Sequence, residues 1–408
     1  MKTIKYILYV SASAAALLAA SCRKEAVILE AEVEVVTSPD SSLLVNPSDT
    51  SANPADSAVV VKRKRVLGFY LLNEGNMSSN KSTLDYFDYA TGEYHRNIYA
   101  DANPTVPREM GDVGNDLEIY GSKLYAIINC SNKVEVMDKH TAKRLGQVNI
   151  PNCRYIRFHE GYAYVTSYAG PVKLDPEYEQ TGYVAKVDTA TLQVVAQCLV
   201  GFQPDELEIV GSKIYVANSG GYRVSDKVFN YENTVSVIDI PSFTETKRIE
   251  VAINLHRLRA DRHGNLWVTS RGNYFDVPSR LFWIDTKTDT YGGMIKTPAT
   301  ELYLDGDSLY LYSTEWSWDL DDWRGYTFGI VDVAKRELVT RSFLADGEAQ
   351  NITMPYGIMV HPNTKDIYLT DAANFTNSGA LMCFDRYGKK KWQVGTGDIP
   401  AHFALLYE

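Results

Sequence analysis

A four-part pattern recurs along most of this chain, and it limits the fold more than any other feature. Its clearest copy runs over residues 203–251. An alternating run at 206–210 ends at Gly211-Ser-Lys, and a second run follows at 214–217. A long loop leads to a third run, 234–240, and a Pro-Ser turn to a fourth, 247–251. Side chains alternate between the two faces of a strand, so period-two alternation broken by Gly, Asn, Asp and Pro marks antiparallel strands. Four in a row make a meander with two faces to bury and two open edges, which is not stable alone.

Repetition solves that problem. First-strand copies are Asn115-Asp-Leu-Glu-Ile, Arg154-Tyr-Ile-Arg-Phe, His256-Arg-Leu-Arg-Ala, Thr300-Glu-Leu-Tyr-Leu and Tyr356-Gly-Ile-Met-Val. Third-strand copies end in a hydrophobic-Asp step, as in Met137-Asp138, Val187-Asp188, Ile284-Asp285, Val331-Asp332 and Phe384-Asp385. The pitch is roughly 40–55 residues, that of propeller blades of about four strands. The expected fold is all-β, a seven-bladed β-propeller of four-stranded antiparallel blades. Residues 66–72, 83–88 and 94–99 match the second to fourth strands of a blade that lacks its first. The missing copy is Pro400-Ala-His-Phe-Ala-Leu-Leu406, so the C-terminal strand is expected to close the ring and remove its open edges.

The start of the chain reads differently. Lys2 and Lys5 precede an apolar stretch, 7–20, too short to span a bilayer as a mature helix. It ends in Leu18-Ala-Ala-Ser-Cys22, which resembles a bacterial lipoprotein signal; that resemblance implies acylation at Cys22. Residues 37–57 are rich in Ser, Pro, Asp, Asn and Thr and have little to bury. The expected division is a signal peptide at 1–21, a flexible tether at 22–65 and the propeller at 66–408. A net charge of −10 argues against nucleic acid as a partner, since phosphate backbones are held by Lys and Arg. Cys130 ends a second strand and Cys153 precedes the next first strand; a disulfide and two free thiols both fit.

Aligned first strands separate into columns. Leu117, Ile156, Leu207, Leu258, Leu302, Ile358 and Phe403 form an apolar column expected between blades. One flanking column holds Asp116, Tyr155, Glu206, Arg257, Glu301, Gly357 and His402. The other holds Glu118, Arg157, Glu208, Arg259, Tyr303, Met359 and Ala404, with signs alternating over its first four members. The reading preferred is a structural charge ring with no metal, no cofactor and no catalytic residue. The competing reading is a lactonase-like or lyase-like site built from Asp116, Glu206, Glu301, His256 and His402. Arg257 in the same ring opposes a second cation, and no HExxH, GxSxG, GxGxxG or P-loop pattern is present.

Chemistry of binding is expected on the loops between second and third strands, which are long and aromatic. They carry Tyr168; Tyr222 and Tyr231; Tyr274 and Phe275; Trp316, Trp318 and Trp323 beside Asp319 and Asp321; and Phe375. An aromatic side chain buries roughly 150–250 Å². At about 25 cal/mol per Å², leaving one wet forfeits roughly 4–6 kcal/mol. Such rings either pack on each other or meet a ligand, and these eleven residues are the expected ligand-binding set.

Leu72-Asn-Glu-Gly-Asn76, Ser82-Thr-Leu-Asp-Tyr-Phe-Asp88 and Gly111-Asp-Val-Gly-Asn115, with the candidate acylation residue, carry a family resemblance. The chain resembles YncE-like propellers and, more closely, Bacteroidetes surface lipoproteins of the BtuG type. That resemblance implies a non-enzymatic protein, lipid-anchored at the outer-membrane surface, that captures cobalamin and hands it to a TonB-dependent transporter. Other members of the group accompany glycan uptake, which makes a glycan the alternative ligand.

Overall fold

The computed structural model describes residues 65–317 and 322–408. The expected signal peptide, Cys22 and all of the tether but Arg65 lie outside them. Among the described residues are seven four-stranded antiparallel sheets. Six are consecutive in sequence, spanning 114–149, 153–199, 204–250, 255–295, 301–340 and 355–398. We number them blades two to seven. Blade one joins Val66–Asn73, Thr83–Asp88 and Tyr94–His95 to the C-terminal strand Pro400–Tyr407, which is its inner strand, as expected. Successive inner strands neighbour one another around the ring. No helix among the described residues is long and apolar enough to cross a membrane.

The core is divided among the gaps between blades. Tyr155, Tyr164 and Val184 of blade three pack against Leu207, Ile214 and Val216 of blade four, all buried. The apolar column does what its spacing implies. Leu117, Ile156, Leu207, Leu258, Leu302 and Ile358 are buried, and Phe403 packs half-buried against the cluster around Phe69. The hydrophobic-Asp steps have a local purpose. Each Asp side chain accepts backbone N–H groups two to four residues on, as Asp138 does from His140 and Thr141 and Asp385 from Tyr387 and Lys389. These Asx turns fix the bend between third and fourth strands.

Two expectations are corrected. The strand expected at 94–99 stops at His95, and Ile98–Ala102 is a short helix. The buried Asp85 carboxylate draws in the Asn97 N–H at 2.8 Å and the Tyr94 hydroxyl at 2.7 Å, which turns the chain inward. The described parts of the expected loop, 315–317 and 322–324, are not open either. Ser308–Ser317 and Asp322–Asp332 run on as one long hairpin with Trp316 opposite Trp323. As for the cysteines, Cys130 and Cys153 are free thiols; that of Cys153 donates to the Lys133 carbonyl at 3.3 Å.

Candidate functional site at the channel mouth

Inner strands begin where the long loops leave, as Pro204 opposite Asn218 shows. Six of them carry a register shift at the same place, between Gly114 and Asp116, Cys153 and Ile156, Pro204 and Leu207, Leu255 and Leu258, Pro355 and Ile358, and Pro400 and His402. A regular pleat sends neighbouring side chains to opposite faces, whereas a bulge re-aims one of them. Here four bulges bury both members of a polar pair: Asn115-Asp116, Arg154-Tyr155, Asp205-Glu206 and His256-Arg257. Second-strand threonines hold the bulges. Thr166 Oγ1 accepts from the Tyr155 N–H at 3.0 Å and donates to the Asp205 carbonyl of the next blade at 2.9 Å. Thr370 does the same between Gly357 and Pro400.

The result is a layered polar channel. At the mouth, Asp205 accepts from Arg154 Nε at 3.3 Å, Arg271 Nη1 at 3.3 Å, the Tyr168 hydroxyl at 2.8 Å and His256 Nδ1 at 3.2 Å. Burial pushes its carboxyl up, but Arg154, His256 and Arg271 together hold it well below the usual carboxylate range. Burial, with Arg271 and Arg257 beside it, holds the His256 imidazole well below its ordinary range. The ring is therefore neutral at pH 7, with Nδ1–H donating to Asp205 and Nε2 accepting from Arg271 Nη2 at 2.9 Å. Across the mouth, Glu74 meets the Tyr356 hydroxyl and His402 Nε2, each at 2.9 Å.

Deeper, Arg257 pairs with Glu301 at 2.6 Å across a blade boundary. Arg157 pairs with Asp116 and Glu118 at 3.1 Å, and both Arg157 and Arg259 contact Glu206. Asp116 and Glu206 also accept the backbone N–H of Ile156 and Leu258 in the next blade, at 2.9 and 2.8 Å. Charges do pair around the ring: Glu118 and Arg157 of one column pair as expected, while Arg259 takes Glu206 of the other column in place of Glu208. Burial pushes Glu118 up to about 7 against the pull of Arg157. Among the described residues no group of three His, Cys, Asp or Glu converges as a metal cage. Asp116, Glu206, Glu301, His256 and His402 are each engaged by protein partners.

The expected ligand-binding residues divide into three sets. Tyr168 is buried under the Arg154 guanidinium, 4.8 Å from its ring centroid, and supports the mouth from below. Tyr222, Tyr231, Tyr274 and Phe375 are half-buried around the mouth, while Phe275 is 43% exposed. Tyr222 packs edge-on to Tyr168, Phe375 edge-on to Tyr356, and Tyr231 stacks on Phe229, itself 41% exposed. Tyr274 and Phe375 hold left-handed φ values of 59° and 62°, costly for bulky residues. In the Tyr274 loop the cost is offset by Asn273 Oδ1, which accepts the N–H groups of Phe275, Asp276 and Val277 at 2.8–3.0 Å. The side chains of Trp316, Trp318, Asp319, Asp321 and Trp323 lie outside the described residues. Sequence reasoning missed Glu74, Arg154, Asp205, Arg271 and Tyr356. The Asn-Glu-Gly stretch and the polar pairs opening each first strand were the available signals.

No curated protein matches this sequence. Among solved structures, a quinonprotein alcohol dehydrogenase-like protein from Bacteroides thetaiotaomicron superposes with a TM-score of 0.57 at 12% identity, over 84% of this chain and 79% of that one. Hydrazine synthase from Kuenenia stuttgartiensis gives 0.56 at 16% identity, over 71% and 88%. At such identities the likeness is one of fold alone. The family model for a domain of unknown function, DUF5074, matches residues 67–395, and the chain belongs to that family.

Proposed function

We propose that this protein captures cobalamin on the face formed by the loops between second and third strands. In this reading it is lipid-anchored through Cys22 at the outer-membrane surface and delivers its ligand to a TonB-dependent transporter. The observation that carries the reading is the exposure of Phe229 and Phe275, 41% and 43%, on loops of adjacent blades beside a mouth lined with hydroxyl and guanidinium groups. Rigid loops presenting apolar rings around a few polar groups suit a wide, partly flat ligand edged with amides. The second and third strands of blade six carry Trp316 and Trp323 at their facing ends.

In this reading the protein acts by binding. His256 is bonded through both ring nitrogens, and Asp205 is surrounded by donors. These contacts give both groups a structural use that supports the binding reading. The stacked pair Phe229 and Tyr231, whose rings lie 19° from parallel, favours a sugar face as second reading, a glycan in place of the corrinoid. Calorimetric titration of the purified propeller with cyanocobalamin tests the proposal; a stoichiometric complex supports it, and no heat of binding removes cobalamin.

A further inference from the structure

Two guanidinium groups at the mouth share one carboxylate. Asp205 is the only acidic side chain within ion-pair distance of Arg154 or Arg271 among the described residues. His256 contributes no charge there, because burial and its arginine neighbours keep it neutral. The excess is therefore one positive charge, in a chain whose net charge is −10. Arg257 does not alter the balance, since Glu301 answers it at 2.6 Å. Glu74 lies across the mouth, bonded to Tyr356 and His402, and forms no ion pair with either arginine among the described residues, so the count is of this cluster alone.

Hydrogen bonding points the same way. A guanidinium carries five N–H donors. Arg271 spends one on Asp205 and one on His256, and Arg154 spends one on Asp205. Arg154 is the more enclosed of the two, with 10% side-chain exposure. Arg271 retains 26% exposure while Asp205 beneath it has none. A planar fork fixed by a buried carboxylate, with spare N–H groups facing outward, is preorganised for an oxyanion.

We propose that Arg154 and Arg271 form an oxyanion subsite that takes a phosphoryl or carboxylate group of the captured ligand. The proposal rests on reading this face as the ligand face. It is tested apart from cobalamin with two small probes, inorganic phosphate and acetate, titrated at constant ionic strength and followed by NMR shifts of the arginine side chains. Saturable binding by the parent is expected, weakened about 10–100-fold by Arg271→Gln, the range for losing a charge-assisted hydrogen bond. Arg271→Lys should fall between them, because it keeps the charge but not the fork. Lys247→Gln, which removes an exposed positive charge from an outer strand, should bind like the parent. Tighter binding of phosphate than of acetate would assign the subsite to a phosphoryl group, and the reverse order to a carboxylate. Absence of saturable binding by the folded parent, or equal binding by folded Arg271→Gln, would overturn the subsite. Phosphate binding without cobalamin binding would keep the subsite and remove the cobalamin reading.

Discussion

Leu71 of the first N-terminal strand lies directly opposite Phe403 of the last strand of the chain. This pairing joins the two ends of the described chain and completes blade one, so ring closure rests on about ten residues at the C-terminus. Leu406 in that strand is 3% exposed. Replacing it with Ala should cost about 2–5 kcal/mol, the range for a buried leucine. Deleting 399–408 should abolish cooperative melting. A truncated protein that melts like the parent would contradict closure through this strand.

Glu206 sits between Arg157 and Arg259 and is nearly inaccessible. Burial pushes its carboxyl up, but Arg259, Arg157 and Arg257 outweigh that and hold it well below the usual carboxylate range. A depressed carboxyl stabilises the fold above its unfolded value, about 4.3, and the benefit is lost as pH falls toward the folded value. Glu206→Gln should therefore cost about 1–3 kcal/mol at pH 7, since it takes the paired carboxylate from half-buried Arg259 and leaves Arg157 with Asp116 and Glu118. The gap to the parent should narrow below about pH 4. Denaturant titrations of both proteins between pH 2 and pH 7, with these bounds set by linkage, check the sign; a constant gap would refute it.

Glu118 behaves in the opposite sense. Burial raises it to about 7 while Arg157 opposes. A carboxyl raised on folding takes up a proton on folding between its unfolded value and about 7, so its contribution is greatest at acid pH and is lost as pH rises through about 7. Side-chain carbon NMR should place the Glu118 midpoint near neutrality and show no such transition in Glu118→Gln. A midpoint near 4.3, the ordinary glutamate value, would refute the environment described here.

Thr166 tests the inter-blade link. Its hydroxyl serves the Tyr155 N–H and the Asp205 carbonyl at once, and the residue is fully buried. Thr166→Val preserves the shape and leaves both backbone groups unsatisfied, for an expected loss of about 1–3 kcal/mol by equilibrium unfolding. Retention of the parent's stability would mean that the bulge holds itself.

Much of the fold was legible because it rests on local signals repeated seven times. The apolar column and the Asx-turn aspartates each report a period that any blade must keep, and blade one announced its missing strand. The site was less legible. Strand periodicity places Asp205 and Glu206 on opposite faces; only the bulge, a product of packing between blades, buries both. Tyr168 reads like the other loop aromatics, yet Arg154 and Asp205 draw it under the mouth. Blade six shows the same limit. The tryptophans read as loop residues, but Thr, Trp and Tyr on both arms favour strand, and the pairing continues through Trp316 and Trp323.

The direct measurement is cyanocobalamin affinity by calorimetry for the parent and for Tyr231→Ala, Phe275→Ala and single Ala replacements of Trp316, Trp318 and Trp323, each checked for an unchanged melting temperature. Capture on the loop face predicts a one-to-one complex with the parent. It also predicts losses of about 2–4 kcal/mol at the ring residues that anchor the ligand. A folded parent that does not bind cyanocobalamin would contradict the account, and full binding by all five stable variants would place the ligand elsewhere on the propeller.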